Sequence, residues 1–371
     1  MWISRGGIAL TVLRDEAQAL RRGRFGTRAK PADLTASVLV PVLNEEAHLP
    51  ETVPPMLGQR FEGKIEFLFI DGGSTDGSLA ILEALAEVDN RIRILPNPRR
   101  QTTAALNIGL EHAQGEFVVR MDAHSMYPDN YVARGVDRLL EGDVEWVSGP
   151  AIAEGTGRWS APVSAALKTP LGQGGSRKWA PGAGEVELDT GVFTGIWRRS
   201  YLEEVGNWDE GWPVNQDSEL AARVFERGGR IVCLPELAAS YSPRDSPKGL
   251  ARQYWRYGYY RTKTSRQHPT SMRRSHVLIP ALLVALFASV AAPRRIRRAA
   301  QALMAVYLTA IFGVSVRAAQ LGEAEVAEAT RMPVVLAIMH IAWGAGFFAA
   351  CVRFGPPLEA LRRLAGRSPG R

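Results

Sequence analysis

The spacing of apolar residues divides this chain into two regimes. From Ser37 to about position 247, short β-rich apolar runs alternate with stretches of helical spacing. Ser37–Leu43, Ile65–Ile70, Ile92–Leu95 and Phe117–Met121 read as buried strands. Glu45–Leu57, Ser78–Val88 and Thr102–Ala113 read as the helices between them. This strand–helix alternation predicts an α/β fold, a mostly parallel mixed sheet flanked by helices. Beyond it, residues 150–188 are rich in Gly, Pro and Ala and read as a mobile loop, most flexible over Gly172–Arg177. Thr190–Trp197 is β-like, Tyr201–Trp208 and Asp217–Arg227 are helical, and Arg230–Leu234 is a closing strand.

The second regime starts with residues 248–276. Lys248, Arg252, Arg256, Arg261, Lys263, Arg266, Arg273 and Arg274 are interleaved there with Tyr254, Trp255, Tyr257, Tyr259 and Tyr260, with no acidic residue. Such a stretch suits either nucleic acid, with arginines on phosphates and aromatics on bases, or a membrane interface. The apolar runs that follow, 277–292, 299–318 and 333–352, favour the interface. The second and third have about the length needed to cross ~30 Å of hydrocarbon. Arg294, Arg295, Arg297 and Arg298 separate the first two runs, and Glu323, Glu325 and Glu328 outnumber Arg331 between the second and third. Arg353, Arg362, Arg363, Arg367 and Arg371 follow the third. Positive charge marks the cytoplasmic side. The expectation is therefore a hairpin of segments 299–318 and 333–352 with its acidic loop outside. Segment 277–292, with arginines at both ends, would enter and return or lie in the interface; if it spans, the Arg-rich loop faces outward.

The whole reads as a basic extension (1–35), a catalytic domain (36–247), a basic aromatic interface segment (248–276), membrane segments (277–352) and a basic tail (353–371). Its 371 residues carry a net charge of +7, which suits a phosphate-bearing substrate or anionic lipid. Cys233 and Cys351 have no metal-site or disulfide spacing, and the N-terminus shows no secretory signal. The catalytic domain is accordingly expected on the cytoplasmic side of the cell inner membrane, in a multi-pass protein.

Ligands on a parallel sheet bind at the carboxyl ends of its strands. Here those ends carry Asn44-Glu45, Asp71 and Asp122-Ala-His124. A carboxylate and an imidazole two apart can turn toward one cation, although an Asp at a strand end also serves as a helix cap. In Asp71-Gly-Gly-Ser-Thr-Asp76-Gly the glycines admit a close ligand, and Asp76 can cap the helix from Ser78. Asp217 and Glu219 open a helix, where a cap by Asp217 or Asn215 is the simpler role.

Taken in order, these pieces resemble the family 2 glycosyltransferases of the GT-A fold. The residues that carry the resemblance are Val40–Glu46, Asp71–Gly77, Ala105-Leu-Asn107-x-Gly109, Arg120–His124, Gly191–Gly195 with Arg198-Arg199, Trp208–Glu210, Gln216–Glu219 and Gln253–Tyr257. The variants Asp-Gly-Gly-Ser and Asp-Ala-His are most similar to the succinoglycan-biosynthesis ExoA-type subgroup. The resemblance implies a nucleotide-sugar pocket from Pro41, Asn44, Glu45, Asp71, Asn107 and Asp122. It implies a divalent cation, Mn²⁺ or Mg²⁺, at Asp122 and His124, with His124 where the family usually has aspartate. Asp217 would be the catalytic base, and Gln253, Arg256 and Tyr257 would meet the diphosphate or acceptor. The implied reaction is inverting transfer from a nucleotide-sugar, by family weight UDP-linked, to a lipid-linked saccharide in polysaccharide or glycolipid biosynthesis. Direct transfer to polyprenyl phosphate is the alternative, and a non-catalytic membrane scaffold a more distant one. No nucleic-acid partner is expected.

Overall fold

The computed structural model describes residues 31–174 and 184–366. Most of the basic extension, part of the Gly172–Arg177 stretch, and Arg367 and Arg371 lie outside the described residues.

Among the described residues, eight strands form the main sheet. They are β1 (Thr35–Val42), β2 (Lys64–Asp71), β3 (Ile92–Pro96), β4 (Phe117–Arg120), β6 (Trp146–Ser148), β8 (Val186–Glu187), β9 (Gly195–Arg198) and β10 (Ile231–Cys233), in the order β3-β2-β1-β4-β9-β6-β10-β8. β3, β2, β1 and β4 run parallel; β9 is antiparallel to both β4 and β6. A smaller sheet pairs β11 (Ala239–Tyr241) with β5 (Ser125–Met126) and β7 (Ala151–Ala153). The central strands are apolar on both faces because both are covered. Alternate residues go to opposite cores: Val38, Val40, Phe67, Phe69 and Val119 to one, Leu39, Leu68, Ile70 and Val118 to the other.

The covering helices are α1 (Leu49–Leu57), α2 (Ser78–Val88), α3 (Thr102–His112), α4 (Tyr131–Leu140), α5 (Ser160–Leu167), α6 (Pro170–Gln173), α7 (Arg199–Val205) and α8 (Gln216–Glu226). The region read as a mobile loop contains α5 and α6. Asp245 accepts the backbone N–H of Trp159 and Ser160 at 2.6 and 2.7 Å, which satisfies the open end of α5. Thr169 caps α6 by accepting from Gly172 at 3.2 Å. Small residues in α5 pack closely against the C-terminal helices, so its alanines are core rather than loop filler.

The C-terminal part comprises α9 (Pro247–Gln267), α10 (Ser275–Ala291), α11 (Arg294–Gln320), α12 (Val326–Ala329), α13 (Met332–Phe354) and α14 (Leu358–Leu364). The stretches Arg294–Gln320 and Val326–Phe354 are long and apolar enough to cross a membrane. α10 and α11 pair across the turn at Ala292-Pro293, where Gln301 donates to the Ser289 carbonyl at 3.1 Å, and α11 also meets α13, the pair expected from sequence, with the Tyr307 hydroxyl 3.0 Å from His340 Nδ1 and Ile311 and Ala318 in one core with Met332 and Val335. α13 also runs alongside α9. Two glycines permit this: a Cβ on Gly258 would meet the Trp343 carbonyl at 1.9 Å, and one on Gly346 the Trp255 carbonyl at 2.0 Å. The two backbones touch, which only small residues allow.

Candidate active site

Register places the ends of β1, β2 and β4 side by side. Val42 is opposite Asp71, and Leu39 opposite Arg120. The chain leaving β1 turns sharply at Asn44, whose φ of 57° is left-handed. There the Asn44 carboxamide oxygen accepts the Thr75 N–H at 2.8 Å, and the Asn44 N–H donates to the Ser74 hydroxyl at 2.9 Å. The Glu45 N–H donates to the Ser78 hydroxyl at 2.8 Å, and Glu46 accepts from Gly77 at 2.9 Å. The two loops are thus laced together. Asp71 is buried and accepts from Gly73 at 2.9 Å and from the Ser74 hydroxyl at 2.6 Å, holding its own loop in shape. Asp76 accepts from the Ser78 N–H at 3.0 Å and hydroxyl at 2.6 Å, the helix-start role open to it from sequence. Those bonds pull its carboxyl below the usual range. Pro41, half-buried, lies opposite Ile70 on the same strand end.

At the end of β4, Arg120 is 3% exposed and forms a two-pronged pair with Asp122, at 2.8 and 3.1 Å. Burial opposes its charge, but Asp122 and the nearby Asp217 outweigh that, and its pKa is raised. His124 is exposed and its Nδ1 meets Glu45 at 3.0 Å. Partial desolvation works against protonation, yet Glu45 and Asp122 prevail and lift the imidazole above its ordinary value. Thr52 of α1 donates to the Ala123 carbonyl at 2.6 Å and fixes the turn between the two.

Asp217 is half-buried in the first turn of α8, after Asn215 at a φ of 65°. Gly191 lies against it, since a Cβ there would meet the Asp217 carbonyl at 2.1 Å. The rest of its setting comes from α9. Gln253, Tyr257 and Arg261 recur every four residues and so share a face. Gln253 donates to the Tyr257 hydroxyl at 3.0 Å, and Arg261 to the Ser218 hydroxyl at 2.6 Å. The charge of Asp217 reaches both Tyr257 and Arg261. Burial lowers Arg261 to about 10. α9 also grips the loop before Asp217: Trp212 donates to Thr264 at 2.9 Å, and the Lys263 ammonium sits 3.7 Å over the Trp212 ring.

Asn44, Glu45, Asp71, Asp122 and His124 therefore gather at one sheet edge, and Asp217 lies near enough for its charge to act on Arg120. Gln253 and Tyr257 are on the Asp217 side of α9, whereas Arg256 is exposed on its flank. Asn107 is engaged by a neighbouring loop. Its amide bonds both the N–H and C=O of Trp208, at 3.1 and 2.8 Å, and ties α3 to the Trp208–Glu210 loop. Glu219 is buried against Arg223 at 2.7 Å and is structural. Two residues unassigned from sequence belong to the constellation: Arg120, hidden inside an apolar strand, and Arg261, which the four-residue spacing from Gln253 would have indicated.

Among the described residues no cluster of three or more His, Cys, Asp or Glu side chains forms a cation cage. The donors available are the Asp122 carboxylate and His124 Nε2. With Nδ1 turned to Glu45, Nε2 of the neutral ring presents a lone pair, an arrangement common for metal-binding histidine. This pair fits a cation whose shell is completed by a diphosphate rather than by protein alone.

The sequence profile described as "Glycosyl transferase family 2" matches residues 37–205. The chain is 30% identical over 319 residues to the succinoglycan biosynthesis protein ExoA of Rhizobium meliloti, covering 85% of this chain and 95% of that one. It is 26% identical over 231 residues to a dolichyl N-acetyl-α-D-glucosaminyl phosphate 3-β-D-2,3-diacetamido-2,3-dideoxy-β-D-glucuronosyltransferase of Methanococcus voltae, covering 60% of this chain and 71% of the other. The mannosyltransferase of Pyrobaculum calidifontis, solved with GDP-Man and Mn²⁺, superposes with a TM-score of 0.54 at 20% identity, covering 92% of this chain and 97% of that one. That superposition identifies the fold as GT-A. With near full-length likeness to a family member, the chain belongs to glycosyl transferase family 2 and is a glycosyltransferase.

Proposed function

We propose that this enzyme transfers a sugar, with inversion, from a nucleotide-sugar to a lipid-linked saccharide at a membrane surface. The observation that carries the reading is the two-pronged pair of Asp122 with buried Arg120, with Arg261 of the Gln253–Tyr257–Arg261 face of α9 bonded to Ser218 next to Asp217 and α13 behind α9. The Methanococcus relative is named for transfer onto a dolichyl-phosphate-linked sugar, which supports the acceptor class.

In this reading Pro41, Asn44, Glu45 and Asp71 line the donor's nucleotide. Asp122 and His124 hold a divalent cation, Mn²⁺ or Mg²⁺, which when bound neutralises charge on the diphosphate. Asp217 takes the proton of the acceptor hydroxyl as that oxygen attacks C1 from the face opposite the nucleotide. One base and one displacement invert the anomeric configuration. Arg256, exposed and with no ion pair among the described residues, is available to a phosphate-bearing substrate.

The test is a panel of nucleotide-sugars, uridine-linked first, with lipid-linked saccharide or with polyprenyl phosphate alone. Asp217→Asn should abolish transfer and keep donor affinity; substantial residual turnover removes Asp217 as base. Turnover on polyprenyl phosphate alone replaces the acceptor assignment with direct lipid glycosylation. Failure to bind any nucleotide-sugar overturns the reading.

A further inference from the structure

α13 has the length of a membrane span, roughly 34 Å at 1.5 Å per residue. Its neighbours do not suit one. α9 runs parallel to it from end to end: Leu250 shares a core with Val335 and Met339, Gly258 and Gly346 bring the backbones together, and Tyr259 meets the Phe354 ring at 5.3 Å. α9 carries Lys248, Arg252, Arg256, Arg261, Lys263 and Arg266, and through Arg261 and Lys263 it is bonded to the catalytic domain. A bilayer surrounding α13 would take these cations into hydrocarbon, which is strongly unfavourable.

Other contacts fix α13 along its length. Before it, Ala324, Ala329 and Met332 share a core with Val163 and Ala166 of α5. At mid-length, His340 Nε2 lies 3.2 Å from the Leu171 carbonyl. After it, α14 packs through Ala360 in one cluster with Met272. Its start and middle therefore rest on the catalytic unit, and its end on the segment that follows α9. What remains uncovered is one stripe, Val334, Ile341, Phe348 and Val352, in steps of seven, seven and four residues. The stripe is continuous in character with the α10–α11 hairpin, whose large apolar side chains, Phe287, Val290, Val306 and Phe312 among them, are exposed.

We propose that α13 lies in the plane of the membrane surface, its stripe embedded in one leaflet, and that only the α10–α11 hairpin crosses the hydrocarbon, its Arg294–Arg298 turn reaching the far headgroups, which reverses the placement expected from loop charge. The acidic loop 321–331 and the residues after Phe354 then stay on the catalytic side. This rests on the membrane-surface reading above.

The occupant of the stripe is the acyl region of the near leaflet, and the side of loop 321–331 tests it. Single cysteines are placed by Glu323→Cys and Ala327→Cys, with Glu111→Cys as the catalytic-domain reference, all in a Cys351→Ala chain where Cys233 is buried. An impermeant maleimide is applied to sealed vesicles of each orientation. Both loop positions should label in the orientation that labels Glu111→Cys, and not in the other. Labelling of either loop position only in the opposite orientation overturns the in-plane helix while leaving membrane attachment intact. Two exposed loop positions guard against one misfolded variant, whose sign is labelling in both orientations together with loss of transfer. Recovery of the unsubstituted chain outside the membrane fraction overturns the attachment itself.

Discussion

The Gly258–Gly346 contact makes a quantitative prediction about activity at a distance. A Cβ on Gly258 would lie 1.9 Å from the Trp343 carbonyl. Ordinary contact requires about 3.5 Å, so α9 and α13 must part by roughly 1.5 Å. Gly258→Ala gains about 0.8–1 kcal/mol of helix propensity, while overpacking costs about 1–3 kcal/mol, leaving a modest net destabilisation. The larger effect is positional. α9 holds Ser218 through Arg261 and Trp212 through Thr264, the residues on either side of Asp217. A catalytic base displaced by about 1 Å loses on the order of 10²-fold in rate. The loops at the ends of β1, β2 and β4 make none of these bonds, so donor affinity should stay near its original value. Steady-state kinetics with saturating donor should show kcat reduced by about 10²-fold with donor KM little changed. Gly313→Ala in α11 is the control: nothing lies within 4 Å of its added Cβ, so only the propensity gain applies. If Gly258→Ala retains full kcat, α9 does not position Asp217.

Three more outcomes follow from other contacts. His124→Ala should weaken metal-dependent donor binding and flatten its Mn²⁺ titration; an unchanged titration in this variant and in Asp122→Asn moves the cation elsewhere. Arg120→Met leaves the largely buried Asp122 without its partner, and thermal unfolding should report a loss of about 3 kcal/mol or more together with lost donor binding. His268 is buried between Glu226, at 2.8 Å, and Glu219, at 3.6 Å. Burial opposes its charge, but the two carboxylates outweigh it and the imidazole is raised above its ordinary value. Its contribution is thus complete below the unfolded histidine value and declines as pH rises through the raised folded one. The melting temperature should fall across that window relative to His268→Gln; parallel profiles for the two proteins contradict the pairing.

The sheet was legible because its strands are buried on both faces, which writes continuous apolar runs into Val38–Leu43 and Phe117–Val119. The strand-end residues Asn44, Asp71 and Asp122 followed from those runs by topology alone. Arg120 did not, since a buried cation is visible only with its partner, and neither did the task of Asn107, whose bonds are to Trp208 a hundred residues away. α5 was hidden because alanine and serine pack well against a close neighbour but carry little hydrophobic signal.

By itself, then, the sequence determined an α/β sheet with its chemistry at the strand ends, a glycosyltransferase motif series, and three apolar helices after a basic aromatic one. Tertiary structure decided how those helices are used. Length and hydropathy describe each helix singly, and by that measure Met332–Phe354 is a span. Whether lipid or protein surrounds it depends on what packs against it. On one side it is protein, because two glycines, Gly258 and Gly346, let an arginine-bearing helix come within backbone contact there.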